Sequence, residues 1–401
     1  MSKLILKKGR EKSLLRRHPW VYSGSIAEVI GSPAAGETIR IESHDHQFLA
    51  WGAYSPVSKI RARVWSWSES EIINRDFIKR KIIVSANYRN SLTDAKKTNS
   101  IRLVYAESDG LPGLILDRYG DVIVMQSLSC GVEYWLEDIA DIIINLNEIN
   151  WVYERSDSVI RNLEGLESRV GLLRVNPKVD SSKFSPFVNI VENEIQFLVD
   201  IERGNKTGFY LDQRRNRHIV RELCANKVVL DCFCYTGGFT LNALLGGAAS
   251  VTAIDESSEA LDIIIKNLSL NNQPERAVTC IQGDVFRELR KFRDKAHQFD
   301  VVILDPPKFA PTTSTTESAA RGYKDINLLA LKLLRSGGYL VTFSCSGGIS
   351  MEYFQKIVAG AALDANRNVK IIERLTQSSD HPVALNYPEG YYLKGFLLLV
   401  E

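Results

Sequence analysis

Residues 227–240 read Lys-Val-Val-Leu-Asp-Cys-Phe-Cys-Tyr-Thr-Gly-Gly-Phe-Thr, and this stretch decides the fold. Its first half is apolar and β-branched with an acid near the end, the pattern of a buried strand. Gly237 and Gly238 break that strand, and the residues beyond them open a helix. Strand, glycine turn and helix N-terminus in this order begin a doubly wound α/β sheet. The glycines let a ligand approach the backbone, and the helix start offers it free N–H groups. The stretch lacks G-x-G-x-x-G, which argues against a pyrophosphate cradle and a nicotinamide cofactor.

Downstream, apolar strands alternate with helices, as expected of a parallel sheet from about residue 191 to residue 401. The second strand, SVTAID, ends on Asp255, 24 residues after Asp231 (255 − 231). An acid there is placed to accept from ribose hydroxyls, or else to cap the helix opened by Ser257 and Ser258. The third strand leaves Asp284 at its tip, where a carboxylate suits an exocyclic amine such as that of adenine. The fourth, FDVVILDPPKFA, ends on Asp305, and Pro306 and Pro307 stiffen the loop so that the acid faces the crevice. An Asp-Pro-Pro turn in this place is a familiar feature of enzymes that methylate planar nitrogen-bearing rings. The fifth, GYLVTFSCS, brings Cys345 to the same rim as Asp305. The C-x-C pair Cys232 and Cys234 reads as small-residue packing.

Upstream, residues 1–72 alternate short Val/Ile-rich runs with Gly and Pro turns and read as a small β-barrel. Residues 73–190 read as an α+β insert: helix-like runs around NRDFIKRKIIVSANYRN and GVEYWLEDIADIIINL, with a strand hairpin between them. Charge is uneven. Residues 1–70 hold eleven Lys and Arg against six acids, while the remainder is 39 against 42. Six of those bases fall between Lys7 and Trp20, so Arg10, Arg16 and Arg17 are candidate phosphate contacts. In KIRARVWSW, period-two alternation sends Arg61, Arg63, Trp65 and Trp67 to one face, a surface suited to a polynucleotide or else an ordinary sheet rim. The six cysteines include no C-x-x-C and the six histidines no H-x-x-x-H, so no metal is expected. Neither a signal peptide nor a membrane span of roughly 18 apolar residues is evident, which points to a cytoplasmic protein.

These motifs are highly specific in combination. KKGREKSLLRRHPWVYSGSI, GLPGLILDRYGD, GNKTGFYLDQRRNR, CFCYTGGFT, LDPPKF, RGYKDIN, FSCSGG and DHPVALNYPEGYYLKGF together make the chain resemble the RlmI (YccW) family of S-adenosylmethionine-dependent ribosomal RNA large-subunit methyltransferases. The resemblance spans essentially the whole chain. It implies an N-terminal PUA domain, a central α+β domain and a C-terminal Rossmann-like methyltransferase domain. It also implies methylation of C5 of a cytosine in 23S ribosomal RNA, and a homodimer.

That chemistry explains the cysteine. C5 of an aromatic cytosine is too weak a nucleophile to take a methyl group unaided, whereas thiolate addition to C6 makes C5 enamine-like. Cys345 is the expected nucleophile, with thiolate favoured by a helix starting near Ser350. Asp305 is expected to hold the N3 and N4 edge. Cofactor contacts are expected from Asp231, Phe233, Tyr235, Thr236, Gly237 and Gly238 in the turn. Asp255, Ser257, Asp284, Val285 and Asp305 are expected to contribute from the later strand tips, and Tyr210 from a flap spanning Lys206 to Arg214. Lys308 and Arg321 join the candidate RNA contacts. No residue is evident as the base for the C5 proton. Two rival readings remain at this stage: an exocyclic-amine methyltransferase that leaves Cys345 structural, and a non-catalytic RNA-binding assembly factor.

Overall fold

The computed structural model describes residues 2–92, 94, 96–309 and 316–401. The chain forms two compact units. The first comprises residues 1–194, 199–211 and 379–390, and the second 195–198, 212–378 and 391–401.

In the first unit a six-stranded sheet wraps a small core of Leu4, Leu6, Leu14, Val21, Ile39 and Ile41 among others. Its strands run in the order Trp20–Tyr22, Ile60–Ser66, Phe48–Tyr54, Thr38–Glu42, Lys3–Leu6, Ile26–Ile30. A five-stranded sheet follows, with the hairpin Leu114–Tyr119 and Val122–Ser127 inside it. Helices Arg75–Asn90 and Leu136–Ile143 cover its apolar face, giving a second core. The first sheet contributes to the second core, because its Ala53 and Trp65 pack there. Gly131 permits this: a Cβ there would lie 2.5 Å from the Ala53 methyl and 2.8 Å from the Trp65 ring. The alternation expected in Ile60–Ser66 is present, yet both faces are covered. Val64 enters the first core and Trp65, 3% exposed, the second. Burial on two sides is what overturns the expected polynucleotide-facing surface.

The second unit is built on seven strands: β1 Val228–Cys232, β2 Ser250–Asp255, β3 Val278–Gln282, β4 Phe299–Leu304, β5 Leu334–Ser344, β6 Val369–Leu375 and β7 Lys394–Val400. Their order is β3-β2-β1-β4-β5-β7-β6. The first five are mutually parallel, as expected from the alternation of strand and helix. β7 departs from that pattern, lying antiparallel between β5 and β6. Gly395 lets it close on β5, since a Cβ there would meet the Phe343 ring at 2.4 Å.

The helices of this unit are α1 Arg214–Leu223, α2 Gly238–Leu245, α3 Ser258–Leu270, α4 Val285–Asp294, α5 Thr316–Leu333 and α6 Met351–Asp364. Ser257, Asp284 and Ser350 cap α3, α4 and α6 by accepting from backbone N–H groups three residues on. A core including Leu230, Ile254, Leu304, Ile326, Leu340 and Phe354 fixes the sheet against the helices. The carboxyl ends of β1 to β5 therefore form one rim, and that rim carries the candidate chemistry.

Candidate active site

At the β1 end, Asp231 is fully buried. Its Oδ2 accepts from the Thr240 hydroxyl at 2.6 Å, while Oδ1 has no hydrogen-bond partner among the described residues. Burial pushes its carboxyl up to about 7; the Thr240 hydrogen bond opposes this, and the charges of Asp305 and Asp255 add to it. A buried carboxylate oxygen left without a partner among the described residues is suited to a donor on a bound ligand. The turn after it is tightly wound, with Phe233, Tyr235 and Gly237 all at positive φ (62°, 49° and 82°). Gly237 is required on two counts. It starts α2 in the left-handed region, and a Cβ there would lie 2.9 Å from Ile264.

Asp255 secures this turn from the neighbouring strand. Its Oδ2 accepts from the Tyr235 N–H at 2.8 Å and its Oδ1 from the Ser257 N–H at 3.0 Å. The cap of α3 is Ser257, so Asp255 is a strand-tip acceptor and not the helix cap. The Ser257 hydroxyl is occupied in that cap and on Glu259. Asp284 caps α4, with Oδ1 2.8 Å from the Arg287 nitrogen. Val285 is 2% exposed within the core, so it can offer a ligand little beyond backbone. Thr236 is buried, and its carbonyl accepts from Asn267. The half-buried Phe233 ring packs edge-on to Phe309, with centroids 6.4 Å apart.

On the next strands, Asp305 Oδ2 accepts from Gln213 Nε2 at 2.9 Å. Cys345 follows the last residue of β5 and is partly exposed, its Sγ 3.9 Å from the Pro306 carbonyl oxygen. The thiol and the Asp-Pro-Pro turn are thus adjacent. Tyr323 on α5 adjoins them, its hydroxyl 3.0 Å from Ser346 Oγ. Sequence reading missed the cation here. Lys394, 4% exposed, stands opposite Ser344 in the β5–β7 register and donates from Nζ to the Ser346 carbonyl at 2.8 Å. Burial brings its ammonium down to about 8, against the raising effect of Cys345. The available signal was a lysine at the head of an otherwise apolar strand, KGFLLLV. Cys232 and Cys234 are buried, and desolvation raises both thiols, in keeping with a packing role.

Residues 181–388 match the S-adenosylmethionine-dependent methyltransferase family and residues 4–67 a PUA-like domain. Ribosomal RNA large subunit methyltransferase I of Klebsiella pneumoniae is 48% identical over 395 residues, covering 98% of this chain and 97% of the relative. The proteins of that name from Shigella boydii and Escherichia coli O157:H7 are 47% identical, with 98% of each chain covered. The chain belongs to the ribosomal RNA large subunit methyltransferase I family. A Streptococcus mutans protein of known structure shares the fold, with a TM-score of 0.83 at 21% identity over 99% of this chain and all of that one.

As a member of this methyltransferase family the protein is an enzyme that uses S-adenosylmethionine. The β1 and β2 tips fit that cofactor. Asp231 presents a buried oxygen without a partner among the described residues, and the Gly237 turn sets the N-terminus of α2 after the same strand. The expected flap is partly an anchor. In the first unit, Thr207 donates to Asp117 at 2.6 Å and Phe209 is 3% exposed. Tyr210 belongs to that same unit, with Lys206 Nζ 4.4 Å from its ring centroid.

The candidate RNA contacts of this family member divide sharply. Arg10, Arg16 and Arg17 are exposed, and no carboxylate among the described residues pairs with them. Lys308 and Arg321 are also exposed. Arg61 is half-buried and donates to the Ser55 and Pro56 carbonyls. Arg63 corrects the expectation: it is 8% exposed, with Glu107 at 3.1 Å and Glu164 at 2.9 Å. Its charge is spent inside the first unit, where the strand carrying it is covered on both faces. Among the described residues no helix is long and apolar enough to cross a membrane.

Proposed function

We propose that this methyltransferase transfers a methyl group to C5 of a cytosine in 23S ribosomal RNA, with Cys345 as a transient covalent nucleophile. The observation that carries the reading is the partly exposed thiol at the β5 tip, beside the Asp305-Pro306 turn. S-adenosylmethionine, when bound, supplies an electrophilic methyl group. Asp231, the Gly237 and Gly238 turn, Asp255 and Asp284 are the residues that would hold it. The Cys345 thiolate adds to C6 of the base, which breaks the aromaticity and concentrates electron density at C5. Asp305 accepts from the N4 amine and favours the protonated N3 that forms on addition. Gln213, bonded to Asp305, fixes the orientation of that carboxylate. Removal of the C5 proton then expels the thiolate and restores the ring. The target base must leave its stack, at a cost of a few kcal/mol, so an unpaired segment is favoured as substrate.

The division at residues 72 and 190 into a PUA-like domain, a central α+β domain and a methyltransferase domain belongs to the same reading. So do phosphate contacts from Arg10, Arg16 and Arg17, supported by their exposure, and from Lys308 and Arg321. A homodimer acting in the cytoplasm follows from the family resemblance.

RNA containing 5-fluorocytidine tests the mechanism. A stable protein–RNA adduct that forms with the wild-type chain and is lost in Cys345→Ala supports it. Undiminished methylation by Cys345→Ala would replace it with transfer to the exocyclic amine.

A further inference from the structure

Lys394 brackets the nucleophile. It is paired across β5 and β7 with Ser344, the residue before Cys345, and hydrogen-bonded to the carbonyl of Ser346, the residue after it. An ammonium has three donors, and a charge withdrawn from water is costly unless paired. Yet no carboxylate among the described residues pairs with Lys394. Among the described residues the charged groups that act on it are Cys345, at the end of β5, and Lys308, after β4, whose positive charge opposes its own; the Tyr323 hydroxyl, on Ser346 Oγ, faces the thiol from α5. The helix start does not provide a closer source of positive charge. Ser350 caps α6 five residues beyond the thiol, and its hydroxyl already satisfies the Tyr353 N–H.

We propose that Lys394 is the counter-ion that holds Cys345 as a thiolate. The thiol proton passes from Sγ to the neutral amine Nζ, forming a thiolate–ammonium pair without net exchange with solvent. When sulfur adds to C6, a sulfur lone pair becomes the S–C6 bond and the C5=C6 pair is released for C5 to use. When that bond breaks, its electrons return to sulfur and Lys394 regains its anion. Lys394 acts through Cys345 and is a positioning residue. The inference rests on Cys345 being the nucleophile.

The experiment is alkylation of the full-length protein by iodoacetamide without RNA, followed at the Cys345 peptide by mass spectrometry from pH 6 to 10. The wild-type rate is expected to inflect below the free-thiol value of about 8.5. In Lys394→Met the inflection rises by about one unit and alkylation at pH 7 slows about tenfold. Lys394→Arg keeps the low inflection. Lys394→Gln serves as the second neutral variant should Met disturb folding, which circular dichroism reports. An inflection unchanged in a folded neutral variant overturns the proposal. Full methylation by Cys345→Ala would instead sink the nucleophile while leaving the alkylation shift intact, so the two failures are distinguishable.

Discussion

Replacing Asp231 by Asn removes a carboxyl that the fold holds at about 7 against an ordinary 3.8. The sign follows from proton counting. Between pH 3.8 and about 7 the unfolded chain has released this proton and the folded chain has kept it. The unfolded state therefore binds fewer protons, and wild-type stability falls as pH rises through that window, then levels off. The span is 3.2 units (7 − 3.8), worth about 4 kcal/mol at roughly 1.4 kcal/mol per unit. Asn at 231 cannot ionise, and its side-chain oxygen can still accept from Thr240. Whatever fixed offset the amide introduces, the variant should gain on wild type by up to about 4 kcal/mol between pH 4 and pH 8. All six tryptophans (20, 51, 65, 67, 135 and 151) lie in the first unit, so intrinsic fluorescence reports the wrong part of the molecule. Native-state hydrogen exchange of the β1 amides, read by mass spectrometry in the cofactor-free protein, reports the right one. A gap between variant and wild type that stays constant with pH, or narrows, refutes the argument that burial governs this carboxyl.

Asp255→Ala strips the acceptor from the Tyr235 and Ser257 N–H groups. Calorimetric titration with S-adenosylmethionine should show affinity weakened by about 10- to 100-fold, as expected for loss of charge-assisted hydrogen bonds; unaltered binding would remove Asp255 from the cofactor site. Arg63→Met leaves Glu107 and Glu164 buried without their cation and should destabilise the first unit by about 3–5 kcal/mol in denaturant unfolding. Arg16→Ala should behave oppositely, leaving stability unchanged and reducing the salt dependence of RNA binding. Loss of RNA affinity in Arg63→Met at wild-type stability would restore that arginine to the RNA surface.

The doubly wound sheet was legible because apolar strand runs alternate with helices and are punctuated near their carboxyl ends by Asp231, Asp255, Asp284, Asp305 and Cys345. Those residues reach one rim through strand direction alone, which a parallel pattern already dictates. Alternation in Ile60–Ser66 was legible too, but what covers its outer face was not. Trp65 and Arg63 meet residues from Glu107, Cys130–Val132 and Glu164, far away in sequence. Lys394 escaped for the same reason. Its relation to Cys345 exists only because β7 inserts antiparallel beside β5, and no local spacing encodes a pairing across 50 residues (394 − 344). The sequence left Asp255 as either a ribose acceptor or the cap of α3; the true cap, Ser257, lies two positions on, and capping geometry separates such polar candidates where composition does not.

The close approach at Gly131 bears on how the basic sheet can be used. Trp65 and Ala53 belong to strands of the first sheet but fill the second core, so a fragment ending near residue 72 would strand an indole in water and unplug the layer it normally completes. Grafting this sheet onto another enzyme, or exchanging it between relatives, therefore demands that the matching floor travel with it. Evolution would be expected to shuffle the pair as one cassette, and a swing of the arginine-bearing face would have to carry both layers together.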